Sequence, residues 1–178
     1  MATPLSLYSI PVVWFTTFHP MNMKVALTLL VLKIAHMHTL EVSTEIFSLS
    51  LQYFLIDKTI GYNNLQPRSN TKRLVEDSCI PREVALRVER LEGAHLNGNE
   101  VLPLWIGAVL AGNQAGISNE TMNAASVGFI VSRFLYNYVY INHTTSSLSW
   151  LRSALFFTGL GFPMYLFVKA GNIVRERI

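Results

Sequence analysis

Three long apolar segments divide the C-terminal part of the chain. They run from about 85 to 110, from about 122 to 141 and from about 150 to 168. A helix needs about 20 mostly apolar residues to cross the hydrocarbon core of a bilayer, and each segment has roughly that length. Glycine, asparagine and short polar residues follow each one, as is usual where a helix ends. The pattern therefore predicts three transmembrane helices here.

The N-terminal third has shorter apolar runs, at about 8–18, 25–34 and 46–56. Pro20 separates the first two, and Lys33 lies inside the second. These runs are compatible with one long span, two poor spans, or a span plus an interfacial helix. We expect one span whose limits stay open. The fold class is then all-α, an integral membrane bundle of four helices.

The hydrophilic connection at about 57–83 is rich in lysine and arginine. Because such residues concentrate on the cytoplasmic side of membranes, we place it in the cytoplasm. With four spans, the connection near 142 shares that side, while both termini and the 113–120 connection face the lumen or the outside. Basic residues near the C-terminus, at Lys169, Arg175 and Arg177, argue weakly for the opposite orientation.

Composition supports a membrane location. Hydrophobic residues make up 51% of the chain and charged residues only 14%, against about 25% in soluble domains. The net charge of +3 fits basic cytoplasmic loops. No basic run alternates with aromatic residues, so we expect no nucleic-acid partner. Cys79 is the single cysteine, which excludes an intrachain disulfide, and we expect no metal site.

Polar residues open the second predicted span. Gly93, Asn97 and Glu100 have spacings that put them on one helix face, and His95 lies on a neighbouring face. The charged stretch at 87–92 is best explained as a solvated helix that projects from the membrane. Asn97 and Glu100 fit that explanation less well, since continuous hydrophobic sequence begins directly after them.

The third span contains Arg133, Tyr136 and Tyr140 on one face. A charge at membrane depth is costly and marks either a function or a buried pair. Glu100 is the natural partner, and an ion pair that only locks two helices together is the alternative explanation. The tyrosines alone are ambiguous, because aromatic residues are enriched at membrane interfaces.

Arg152 and Ser153 open the last span. Taken alone, Arg152 would be explained as an arginine that reaches lipid phosphates from a helix end. In the expected topology, however, the polar groups of all three helices lie at the same cytoplasmic end. Such a cluster suits a small, flexible, multiply charged ligand that enters from the cytoplasm.

These residues resemble the MAPEG superfamily, the membrane-associated proteins in eicosanoid and glutathione metabolism, and most closely its fungal members. The resemblance covers roughly 55–172. It rests on the order and spacing of five segments, which are ERLEGAHLNGNEVLPL at 89–104, AVLAGN at 108–113, RFLYNYVY at 133–140, LRS at 151–153 and FVKAGN at 167–172.

The resemblance implies a four-helix bundle that forms a homotrimer in the endoplasmic reticulum or another intracellular membrane, with glutathione as co-substrate between adjacent subunits. It implies that Arg152 stabilises the glutathione thiolate, with Ser153 beside it. The other residues that it assigns to glutathione binding are Asn97 and Glu100 for the peptide part, Arg133, Tyr136 and Tyr140 for the carboxylates and backbone, and Arg90 and His95.

Two departures from the family pattern stand out. The catalytic branch often has an arginine where this chain has Gly93, and Arg90, one turn earlier, is the available substitute. The stretch at about 25–53 also looks inserted into the first span. We therefore expect one domain over 1–178, with a family-like core at about 55–172 and an N-terminal part, 1–54, that holds the first span.

The leading hypothesis is a glutathione-dependent transferase or peroxidase that acts on hydrophobic electrophiles. The alternative is a non-catalytic scaffold of the same family that binds lipid. A scaffold has no need of Arg152 and Tyr140, whereas Gly93 weighs against catalysis. An ion channel or transporter is a weaker hypothesis, because the polar cluster lies at one end of the bundle.

The predicted topology can be tested by accessibility. A protease site or tag placed in the 57–83 connection should be reached from the cytoplasm in intact microsomes, because its lysines and arginines favour that side. Protection there, with cleavage only after the membrane is opened, would reverse the orientation. A tag in the 113–120 connection is the matched control and should give the opposite result.

Overall fold

The computed structural model describes residues 3–36, 63, 65, 66, 69–143 and 145–177. Within these ranges every regular element is a helix, which confirms the all-α class. A short 3-10 turn at Ser6–Tyr8 leads into the first of five α-helices. These are α1 (Ser9–His36), α2 (Ser69–Glu76), α3 (Arg82–Gln114), α4 (Asn119–Asn142) and α5 (Ser146–Glu176).

The three predicted C-terminal spans lie inside α3, α4 and α5. Among the described helices, α5 alone is long and apolar enough by length and composition to cross a membrane. The physical reason is polarity, since the first half of α3 is charged and α4 carries an arginine and several amides. Membrane crossing by α1, α3 and α4 therefore stays a prediction, as does the four-helix bundle.

One helix accounts for two of the three N-terminal apolar runs. Helix α1 continues through Pro20 and through residue 25, where the insertion was expected to begin. A single helix thus covers the first two runs, while the choice among one long span, two poor spans, or a span plus an interfacial helix stays a prediction. The run at 46–56, most of the proposed insertion and part of the 57–83 connection lie outside the described residues.

The chain forms two compact units, Met1–Pro20 with Gly93–Ile178, and Met21–Glu92. In the first unit Trp105 is completely buried and stacks on Phe129, with ring centroids 4.1 Å apart. Its indole Nε1 donates a hydrogen bond of 3.0 Å to the Ser9 hydroxyl. One side chain of α3 thus holds both α1 and α4.

Pro20 leaves a backbone carbonyl of α1 without its helical hydrogen bond, and a side chain of α4 supplies a replacement. Proline lacks an N–H group, so the carbonyl four residues earlier, on Thr16, loses its helical partner. The Asn137 side-chain amide of α4 donates to that carbonyl at 2.8 Å. Buried backbone groups must find partners inside a membrane protein, and this contact supplies one. The proline of α1 therefore requires α4 beside it.

The helix ends of this unit are tied together at one side. The Leu5 N–H donates to the Asn123 side chain at 3.0 Å, and Arg177 Nη2 donates to the Ala115 carbonyl at 2.8 Å. Gly116 makes the turn after α3 with a positive φ of 75°, where glycine has no steric cost. Residues near both termini and the α3–α4 connection thus share one end of this unit.

The second unit corrects one expectation from the sequence. The stretch 87–92 was expected to be solvated, but Val88 and Leu91 are buried. Glu92 pairs with the buried Lys24 of α1 at 3.2 Å. The helix is amphipathic here, so only the opposite face meets solvent.

Trp105 gives a stability prediction. Trp105→Ala should lower the free energy of unfolding by about 3–5 kcal/mol, because it leaves a cavity in the core and removes a hydrogen bond that joins two helices. Reversible unfolding in mixed micelles measures this. Trp150→Ala is the control, because Trp150 is 80% exposed and should change stability by about 0.5 kcal/mol or less. Equal effects of the two substitutions would contradict the role of Trp105.

Candidate functional site

A polar cavity of about 350 Å³ lies where α3, α4 and α5 meet. It is near the C-terminal end of α4 and the N-terminal end of α5, opposite the end that holds the termini. Its lining combines one cation, hydroxyl and amide groups, and aromatic rings. The lining residues are Asn97, Tyr136, Tyr140, Arg152, Ser153, Phe156 and Phe157.

Arg152 supplies the cation of this cavity. Thr145 caps the N-terminus of α5 by accepting a hydrogen bond from the Leu148 N–H, and Arg152 follows in the second turn. Its guanidinium Cζ lies 5.2 Å from the centre of the Tyr140 ring, within the range of a cation–π contact. Arg152 is only half-buried, so the guanidinium is oriented and still accessible to a ligand.

Ser153 is turned toward its own helix. Its hydroxyl donates to the Ser149 carbonyl one turn earlier at 3.2 Å. Its oxygen can still accept a hydrogen bond from a ligand in the cavity. The arrangement suits a supporting contact beside Arg152.

Tyr140 fits against α3 because residue 93 has no side chain. A Cβ atom built on Gly93 would overlap the Tyr140 hydroxyl oxygen, and it would lie 3.0 Å from Cζ of that ring. Any larger residue at position 93 therefore has to displace the ring. The departure from the family pattern noted in the sequence has a structural counterpart, since the tyrosine occupies the space at Gly93.

Arg133 is buried, with 3% of its surface exposed. Its guanidinium Cζ lies 4.4 Å from the Tyr136 ring centre, and its Nη2 has no hydrogen-bond partner among the described residues. The expected partner, Glu100, is exposed, and the Glu100–Arg133 ion pair is not among the ion pairs formed by the described residues. Nη2 therefore has hydrogen-bonding capacity left for a ligand or another chain. Because an isolated buried cation is costly, such a partner would stabilise Arg133.

Two of the expected binding residues have contacts within α3 or with α1. Asn97 lines the cavity, but its amide donates to the Gly93 carbonyl at 2.9 Å. His95 Nδ1 lies 2.9 Å from the Thr17 carbonyl, and its Nε2 lies 3.0 Å from the Asn99 amide nitrogen. A carbonyl only accepts, so Nδ1 carries the hydrogen and Nε2 accepts from Asn99. His95 joins helices here.

The structure brings together five of the nine residues named from the sequence, namely Asn97, Tyr136, Tyr140, Arg152 and Ser153. Arg133 contacts this group through the Tyr136 ring, whereas Glu100 and His95 are not in the lining. Arg90 belongs to the other compact unit. The roles of all nine in binding or catalysis stay predictions.

Sequence reasoning missed Phe156 and Phe157. Phe156 packs against the Tyr136 ring at 5.7 Å between centroids, and Tyr136 lies 5.5 Å from Tyr140. Their signal was available, because Phe156 lies four positions after Arg152 and Phe157 four positions after Ser153, so each shares a helix face with a residue already named. Together they give the cavity an apolar wall beside its cation, which suits a ligand with one charged and one apolar part.

Comparison with family models gives one match, to the MAPEG family, over residues 27–172. The match begins nearer the N-terminus than the resemblance seen in the sequence segments. No match was found among curated proteins or among solved structures.

The Gly93–Tyr140 contact makes a prediction about stability. Gly171→Ala should stabilise α5 by up to about 1 kcal/mol, because alanine is the better helix former and a Cβ at Gly171 meets open space. Gly93→Ala should be less favourable than this control by about 1–3 kcal/mol, the cost of overpacking against Tyr140. Unfolding of both variants in the same micelles measures the difference. Equal gains would show that Tyr140 does not occupy this position.

Proposed function

The chain belongs to the MAPEG family, and from this membership we propose that it is a glutathione-dependent transferase or peroxidase acting on hydrophobic electrophiles. Family membership and the apolar helix α5 make it a membrane-associated protein of glutathione or eicosanoid metabolism. The single observation that supports the finer proposal is Arg152. It is a half-exposed cation in a cavity that also has an aromatic wall.

Arg152 is suited to hold a thiolate. A free thiol has a pKa of about 8.5, and a neighbouring cation lowers it toward neutrality. Arginine stays charged at every relevant pH, so it can stabilise the thiolate throughout. The Tyr140 ring limits the positions of the guanidinium, which reduces the entropy lost when the thiolate is bound.

The remaining groups fit the two parts of the reaction. Asn97 and Ser153 offer polar contacts for a peptide backbone, and Phe156 and Phe157 offer apolar surface for the electrophile. In conjugation, the thiolate sulfur forms a bond to an electrophilic carbon. The displaced electron pair departs with the leaving group, or moves to a conjugated oxygen that then takes up a proton.

We also propose the finer features that the resemblance implied. These are a four-helix, multi-pass bundle in the endoplasmic reticulum or another intracellular membrane, a homotrimer, and a fungal-type subfamily similar to microsomal glutathione transferases. Two observations support assembly. Glu100 is exposed and Arg133 Nη2 lacks a partner among the described residues, so each can pair with a neighbouring subunit or with a ligand held between subunits.

One observation favours the second candidate, a lipid-binding scaffold without catalysis. Gly93 replaces an arginine that the catalytic branch often has, and the Tyr140 ring occupies the space beside it. A site with one cation fewer would bind glutathione less tightly. Arg152 remains in the cavity, however, and a scaffold does not require it.

The proposal is tested by thiolate formation and turnover. Glutathione bound to the purified protein in detergent should show the ultraviolet absorbance of a thiolate at neutral pH. Free glutathione is largely protonated at this pH, because the pKa of a free thiol is about 8.5. Arg152→Ala should lose this absorbance and about 25-fold of turnover at pH 7, because a thiol pKa two units lower, worth about 2.7 kcal/mol, raises the thiolate fraction there from about 3% to about 76%. Much of the glutathione affinity should remain. Arg133→Ala should do the reverse and mainly weaken binding.

Arg175→Ala is the matched control, because Arg175 is an exposed arginine at the other end of α5. It should leave both absorbance and turnover unchanged. Turnover by Arg152→Ala at the wild-type rate would show that another group activates the thiol. A wild type that binds lipid but turns over no electrophile or peroxide would favour the scaffold.

A further inference from the structure

A second, larger cavity lies between α4 and α5, near the N-terminal end of α4. Its volume is about 580 Å³, within the range of small-molecule sites. It shares no lining residue with the cavity at Arg152. Most of its wall is formed by small or apolar residues, among them Ala124, Ala125 and Phe162.

Two glycines explain why a groove exists here. Phe162 packs directly on Gly128 of α4, so closely that a Cβ on Gly128 would overlap the ring. This contact joins the two helices beneath the groove. Gly161, one residue earlier, lines the groove, and a Cβ built there meets nothing within 4 Å. The missing side chain at Gly161 leaves that part of the groove open.

Charges of opposite sign stand at the mouth of the groove. Lys169 Nζ donates to the Tyr165 hydroxyl at 3.2 Å and to the Thr121 hydroxyl at 3.4 Å. Glu120, in the first turn of α4, lines the same groove and is exposed. Neither charge is in an ion pair formed by the described residues. The mouth therefore offers a cation held by two hydroxyl groups and an exposed carboxylate, neither of them neutralised by an opposite charge among the described residues.

The groove runs along α5 from near the helix end toward the helix centre, as a lipid runs from its head group to its acyl chain. Lys169 lies seven residues before the last residue of α5, Glu176, or about 10 Å from the helix end. From Lys169 to Thr158, the deepest lining residue of α5, is about 16 Å along the helix. Among the described helices, α5 has the length and composition of a membrane span, and only 17% of its most apolar stretch is buried. The groove thus opens on a surface that would face lipid.

We propose that this groove binds one aminophospholipid, with its ammonium on Glu120, its phosphate on Lys169 and Tyr165, and an acyl chain along Phe162. We choose this ligand because it has both an ammonium for Glu120 and a phosphate for Lys169. A fatty acid would satisfy Lys169 but would place its carboxylate near Glu120, where like charges repel. A primary ammonium can donate hydrogen bonds to a carboxylate, which a quaternary ammonium cannot.

The test uses full-length protein in mild detergent, given equal amounts of phosphatidylethanolamine and phosphatidylcholine. Native mass spectrometry counts the bound lipids. The wild type should retain phosphatidylethanolamine about fivefold over phosphatidylcholine, a ratio expected for one exposed ion pair of about 1 kcal/mol. Gly161→Leu should lose most of the bound lipid, because the new side chain fills the groove.

Gly171→Leu is the matched control. It adds the same side chain to the same helix at a position that also has open space, and Gly171 is outside the lining. It should keep the wild-type lipid. Equal melting temperatures of the two leucine variants would show that Gly161→Leu loses lipid by occlusion and not by unfolding.

Charge variants separate the two head-group contacts. Glu120→Gln should abolish the preference for phosphatidylethanolamine over phosphatidylcholine while keeping total lipid. Lys169→Met should lower retention of both phospholipids, since both have a phosphate. The proposal is overturned if Gly161→Leu retains wild-type lipid, or if Glu120→Gln keeps the fivefold preference. It is equally overturned if Gly161→Leu disrupts an oligomer instead of lipid binding, because the groove would then hold a second copy of the chain.

Discussion

The contact between Trp105 and Phe129 sets the register of α3 against α4, and the position of the cavity depends on that register. Gly93 lies twelve residues before Trp105, about 18 Å along α3, and Tyr140 lies eleven residues after Phe129, about 17 Å along the antiparallel α4. The two therefore meet at the same depth. Phe162 registers α5 on α4 in the same way. A slip by one turn would separate the polar groups by about 5 Å.

A single chain leaves part of its polar chemistry unsatisfied. Arg133 is buried beside an aromatic ring, with one nitrogen lacking a partner among the described residues, while Glu100 faces outward. Elsewhere in the same unit, even the carbonyl released by Pro20 has found an amide. Asn137 Oδ1, on the same helix as Arg133, also lacks a partner among the described residues. These buried groups have hydrogen-bonding capacity left for a further molecule, which the proposed trimer with glutathione between its subunits would supply.

The sequence allowed the helical class, the three C-terminal helices and the convergence of Asn97, Tyr140 and Arg152 to be predicted, because helical periodicity and order along the chain determine them. It did not allow the group that contacts the Arg133 guanidinium to be predicted, since the helical spacing was compatible with both Glu100 and the Tyr136 ring. Nor did it reveal the ion pair of Lys24, because that contact joins residues far apart in the chain. Periodicity specifies helix faces, whereas contacts between helices depend on side-chain packing.

The close approach of Gly93 and Tyr140 limits the order in which these two positions can change during evolution. An arginine that replaced Gly93 in one mutational step would have to expel the Tyr140 ring, and Arg152 would lose its aromatic neighbour before any new ionic contact formed. The reverse order, in which residue 140 first becomes smaller, opens the space beforehand. Both orders remove the aromatic neighbour of Arg152, but only the first passes through a steric clash between residues 93 and 140.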